Sequence, residues 1–122
     1  MADEITIAIN GTISNGNLSQ TFNKGSLSIT QTNRESDGGV ESVATSEEDL
    51  TIANITTNGW LFLRNLDATN YITYGPKSGG AMVALGKLKA GEVACLRLYP
   101  GVTLRWIADT AAVKVEWLLW GD

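Results

Sequence analysis

Residues 113–120 constrain the fold more than any other stretch of the chain. Side chains alternate between the two faces of a strand. Val113, Val115, Trp117 and Leu119 therefore share one face, and Lys114, Glu116, Leu118 and Trp120 share the other. The first face is apolar throughout. The second begins charged and ends apolar. A small sandwich needs one buried face per strand, so Leu118 and Trp120 call for a second cover, from another element of the chain or from another copy.

The same period-two reading runs along the chain. Ile5, Ile7 and Ile9 alternate with Thr6, Ala8 and Asn10, as in a half-buried strand. This segment, over residues 1–12, is expected to be a domain strand or an arm adding to a neighbour. Segments 18–22, 27–32, 40–45 and 50–55 read as further strands. Asn10-Gly11, Asn15-Gly16, Asp37-Gly38-Gly39, Asn58-Gly59 and Gly75-Pro76 are turn signals between them, with Gly25 as a separator. Trp60–Leu63 is apolar on both faces, which predicts a central strand covered on both sides. Segments 71–74, 82–85, 93–99, 103–107 and 113–120 complete the pattern. No window carries a capped helical stripe. About eight to ten short strands with a turn every 8–12 residues predict an all-β, jelly-roll-like antiparallel sandwich. The 122 residues suit one such domain over 1–122.

Charge excludes some partners. The net charge of −4 argues against nucleic acid, which is gripped mainly by Lys and Arg. Residues 33–49 hold one arginine against six carboxylates, a net of −5, and read as a solvated loop or arm. Their spacing lacks the alternating ligands of a calcium loop. No apolar run reaches about 18 residues, so no membrane span is expected. The start of the chain shows no basic segment followed by an apolar one, so no signal peptide is expected. The sequons at Asn10, Asn17 and Asn54 then read as chance.

The sequence offers little for catalysis. It has no histidine and one cysteine, which removes His-dependent triads, His zinc sites and Cys–His pairs. Cys95 lies in an apolar run and reads as a buried, inert thiol. No glycine-rich phosphate loop is present. Glu116 reads as the cross-strand partner of a Lys or Arg. Arg97 and Arg105 are expected either to pair with carboxylates or to cover aromatic faces. No catalytic, metal or cofactor residue is assigned. The aromatic residues can serve a core, an interface or a platform for a sugar ring.

Gly59–Ile72, with its apolar strand, Asn65-Leu66-Asp67 turn and second strand, is followed by Leu88–Glu92, another apolar strand and the closing strand. This order resembles the jelly-roll cement or decoration proteins of tailed-bacteriophage heads, over residues 40–122. The resemblance implies a virion protein assembled in the bacterial cytoplasm. It would form a homo-oligomer, commonly a trimer, on the outer face of the shell and clamp subunits of the major capsid protein. It would need no cofactor. On this view Trp60, Trp117, Leu118 and Trp120 serve the core and self-association, and Ile5, Ile7, Glu47, Glu48 and Asp49 contact the shell. A carbohydrate- or receptor-binding module, and a tail or baseplate component, are the alternatives.

Overall fold

The structure, a computed structural model, describes residues 2–122. It is all-β, with 60% of the chain in strands and no helix among the described residues. Its contacts divide the chain into two compact units, one up to Thr32 and one from Asn33 to Asp122. The sandwich expected over 1–122 is thus built from the second unit alone.

The first unit is a long antiparallel hairpin of β1 (Ile5–Asn15) and β2 (Leu18–Ile29). Asn15 pairs with Leu18, and Gly16 has φ 57°. A glycine at the first central position suits a two-residue turn of type II′. Two sequence expectations fail here. Asn10-Gly11 is not a turn, because β1 runs through it with Gly11 opposite Phe22. Gly25 does not separate two strands, because it forms a bulge with Lys24 inside β2. Ile9 pairs with Gly25, Asn10 pairs with Asn23, and Gly25 takes φ 69° and donates its N–H to Asn10 Oδ1 at 3.2 Å.

Among the described residues the second unit contains nine strands: β3 (Ser36–Val43), β4 (Glu48–Asp49), β5 (Asn58–Asn65), β6 (Ile72–Ser78), β7 (Ala81–Met82), β8 (Gly86–Leu88), β9 (Val93–Arg97), β10 (Leu104–Ala108) and β11 (Val113–Gly121). One sheet has the order β3-β11-β5-β9. The other has the order β4-β10-β6, with β7 and β8 both pairing along β6. The pairing follows one rule. First pairs with last, β3 with β11, then β4 with β10, β5 with β9, and β6 with β8, all antiparallel. A long double-stranded ribbon wound in this way into two sheets is a jelly roll. Between the sheets lie Val43, Leu61, Leu63, Ile72, Leu104, Trp106, Val113, Val115, Trp117 and Leu119, all buried.

Several expected turns are strands. Asp37-Gly38-Gly39 lies within β3, and Asn58-Gly59 opens β5. Close approach explains these glycines better than turn geometry does. A Cβ on Gly38 would stand 2.5 Å from Trp117 O and 2.7 Å from Leu118 Cδ2, and one on Gly59 would stand 2.5 Å from Trp120 O. Gly75-Pro76 likewise lies within β6. The acidic stretch is not a free arm. It supplies β3 and β4, each at the edge of its sheet.

Asn65 is the one buried polar residue among the described residues, at 1% exposure. Its Nδ2 donates to Asn70 O at 2.9 Å and to Leu88 O at 3.0 Å, and its Oδ1 accepts from the N–H of Asp67 at 2.8 Å. Both donors and the acceptor are therefore satisfied. Asp67 then accepts from the N–H groups of Thr69 and Asn70 at 3.0 and 2.6 Å. These two side chains fix the 65–70 turn and tie it to β8.

Candidate functional site

The outer face of the β3-β11-β5-β9 sheet is where the alternation of β11 leads. Trp117 and Leu119 point into the core, at 3% and 0% exposure, whereas Leu118 is 42% exposed and Trp120 is half-buried. The register puts Leu118 opposite Phe62 on β5 and Gly38 on β3, and puts Phe62 opposite Cys95 on β9. Phe62 and Trp120 pack at 4.7 Å between ring centroids, with planes inclined by 58°. Val40 and Val93, at 56% and 65% exposure, extend the apolar surface to both edge strands. Leu118 spreads over Gly38, which has no side chain to displace it. A depression of about 400 Å3 lies among Phe62, Val93, Cys95, Leu118 and Trp120.

Ionic pairs frame this surface. Arg64 Nε lies 3.4 Å from Glu116 Oε1, the cross-strand pairing expected for that glutamate. Arg97 Nη1 lies 2.8 Å from Asp122 Oδ1, and its guanidinium sits 5.4 Å from the centre of the Trp60 ring. Arg97 therefore does both things expected of it. Trp60 is half-buried on the outer face. The expected four-residue set divides accordingly. Trp117 belongs to the core, and Trp60, Leu118 and Trp120 belong to the outer face. The second cover expected for the Trp60–Leu63 strand is not supplied by the sandwich. Leu61 and Leu63 are buried in the core, while Trp60 and Phe62 are only half-buried.

Cys95 departs from expectation in the same way. Its thiol is exposed, since it sits opposite Phe62 on the outer face. Partial burial there still pushes its pKa up, so the reactive thiolate is scarcer than in a free cysteine.

The residues expected to contact the shell are largely engaged within the chain. Ile5 and Ile7 are buried, at 6% and 7% exposure. The large apolar residues that the hairpin exposes are Ile13, Leu18 and Phe22. Arg105 donates to Asp49 Oδ1 at 2.6 Å, to Glu47 Oε1 at 2.9 Å and to Gly80 O at 2.8 Å. These contacts hold the carboxyls of Asp49 and Glu47 below their ordinary pKa. Lys77 Nζ adds a contact of 3.6 Å to Asp49, and Glu47 also accepts from the N–H of Met82 at 2.7 Å. Glu48 accepts from the N–H of Ala44 at 3.0 Å. The cluster thus fastens β4 to β10 and to the β6–β7 turn. Among the described residues no group of three or more Cys, Asp or Glu is placed to hold a metal ion.

No protein-family model matches the chain, and no curated protein matches it.

Proposed function

We propose that this protein is a structural component of a virion, a cement or decoration protein that self-associates and clamps capsid subunits on the outer shell. The observation that carries the reading is the apolar outer face of β3-β11-β5-β9. A complete core lies behind it, so the fold does not need this surface to remain open. Contiguous exposed apolar patches of a few hundred Å2 mark association sites. Jelly-roll topology and the likeness of residues 40–122 to phage-head decoration proteins add the virion setting.

The magnitude is informative. Val40, Val93, Leu118 and the half-buried rings beside them expose roughly 400 Å2 of apolar surface, worth about 10 kcal/mol gross on burial. Two such faces together bury about 800 Å2, below the roughly 1,200 Å2 of a specific interface, against an association cost of about 4–15 kcal/mol in lost freedom. This face alone therefore supports a weak complex, suited to a protein that accumulates on a lattice where each contact adds to the others.

Light scattering over a dilution series tests the reading. A mass that rises with concentration towards three times 13.0 kDa supports a trimer, and Leu118→Asp should hold the protein at the single-chain mass. Saturable pelleting with assembled phage heads, but not with unassembled capsid subunits, supports the outer-shell position. A wild-type protein of 13.0 kDa at every concentration, with no pelleting, would refute it.

A further inference from the structure

Three asparagines of the chain are followed by glycine: Asn10-Gly11, Asn15-Gly16 and Asn58-Gly59. This dipeptide carries its own reaction. The amide nitrogen of the glycine, with no side chain beside it, attacks the asparagine Cγ and closes a five-membered imide. The six other asparagines are followed by Leu, Lys, Arg, Ile or Tyr, whose side chains crowd that nitrogen. Attack also requires the asparagine to leave the extended conformation of a strand and the glycine N–H to be free. The fold meets these two conditions very differently at the three positions.

Asn58 is the most restrained. It is half-buried at the start of β5, and its Nδ2 donates to Val102 O at 3.2 Å. Gly59 beside it is buried, lies against Trp120 O and accepts at its own carbonyl from the N–H of Leu98 at 2.8 Å. Asn10 is exposed but lies within β1. Hydrogen-bonded pairs alternate along an antiparallel ladder, so Gly11 with Phe22 belongs to the same bonded class as Ile13 with Gln20 and Asn15 with Leu18. The Asn10 side chain is engaged as well, by the N–H of Gly25. Asn15 is exposed and stands at the last pair before the turn. Gly16 sits in the two-residue loop, so its N–H lies outside the ladder, and a Cβ there would meet nothing within 4 Å. Only the pair with Leu18 holds Asn15 extended, and the ends of an element open first.

We infer that Asn15 is a site of self-modification, where the folded chain deamidates to aspartate and isoaspartate with water as the only co-reactant. The Gly16 nitrogen forms a bond to Asn15 Cγ as the Cγ–Nδ2 bond breaks. The proton of the Gly16 N–H passes through solvent to the departing nitrogen, which leaves as ammonia. Water then opens the imide. Cleavage at Cγ gives aspartate in the normal chain, and cleavage at the main-chain carbonyl gives isoaspartate, with the chain running through Cγ. The sum is one amide and one water converted to one carboxylate and ammonium, with no oxidation or reduction. Either product places a negative charge in Ile5–Asn23, a stretch that has none. Isoaspartate also adds one backbone atom to the turn, so the pair between Asn15 and Leu18 loses its register.

Peptide mapping by mass spectrometry tests this on the full chain, held dilute at mildly alkaline pH and sampled over time, with and without concentrated urea. In the folded protein Asn15 should convert at least about tenfold faster than Asn10, because more ladder hydrogen bonds must open before Gly11 is free. Asn58 should stay intact. In urea, where only the dipeptide matters, the three should convert within a few-fold of one another. Asn15→Ser should remove the early acidic species from ion exchange and leave the slow conversion at Asn10 as it was. Conversion of Asn10 or Asn58 in the folded chain as fast as that of Asn15 would overturn the inference. So would an Asn15 that stays intact in the folded chain over a period in which urea converts it.

Discussion

Replacing Asn65 by leucine tests the physical account of the turn that closes β5. The two side chains are close in volume, so packing is nearly conserved while polarity is lost. Three hydrogen bonds disappear: those to Asn70 O and Leu88 O, and the one from the N–H of Asp67. Each is worth about 1 kcal/mol net, and a buried group left without a partner costs about 1–3 kcal/mol. The bond to Leu88 O is buried and the other two are partly buried, so the variant should lose about 3–4 kcal/mol. For a sandwich of this size that lowers the midpoint of thermal unfolding by roughly 12–25 °C. Urea unfolding followed by tryptophan fluorescence should show a lower midpoint and an unchanged slope, because the surface exposed on unfolding is the same. A loss below about 1 kcal/mol would refute the reasoning, since water or a shifted backbone would then be satisfying the three groups.

Three further outcomes follow from particular contacts. Arg105 holds Asp49 and Glu47 below their ordinary values of 3.8 and 4.5, and the N–H groups of Asn70 and Thr69 hold Asp67 below 3.8. A depressed folded-state pKa favours the fold above the ordinary value and loses that effect as pH falls through the depressed one. The urea midpoint should therefore be flat from neutral pH to about 5 and fall below about 4.5, less steeply in Arg105→Gln. Equal acid slopes for both proteins would contradict the Arg105 account. Gly38→Ala should cost about 1–3 kcal/mol by denaturant titration, because the new Cβ meets the backbone of β11 as well as a movable side chain. Cys95 should take up one equivalent of maleimide at neutral pH in the dilute protein, more slowly than a free thiol, and be protected at concentrations where the protein associates. A thiol that stays unreactive in the monomer would restore the buried position that its apolar neighbours suggest.

Much of the fold was legible in the sequence because the strands announce themselves by alternation. The faces of β11 and β5 were readable residue by residue, as was the Asn15-Gly16 turn. The glycines misled, for one physical reason. A glycine serves a turn or a close approach equally well, and the two look alike until the neighbouring strand is known. Gly38 lies under Leu118, Gly59 lies against the backbone of Trp120, and Gly25 sits in a bulge. Partners remote in sequence were equally hidden. Arg105 meets Asp49 across 56 residues, so the acidic stretch looked like a loop when it is half of a clamp. Cys95 was misjudged by composition. Strand parity places Leu96 with the core, and so places Cys95 on the outer face.

The sandwich is also nearly a closed ring of chain. The N–H of Asn33 donates to Asp122 O at 2.9 Å, and the N–H of Gly121 donates to Glu35 O at 2.8 Å. Its first and last residues therefore meet. Joining Asp122 to Asn33 by a short linker and reopening the chain at the exposed Gly79-Gly80 turn would preserve every strand pairing while reversing which half is made first. In a wound ribbon whose outermost pair, β3 with β11, spans nearly the whole unit, such a permutation would turn the longest-range pairing into a local one. The rearranged sandwich should then form that pair early in folding, where the natural order of strands leaves it to the end.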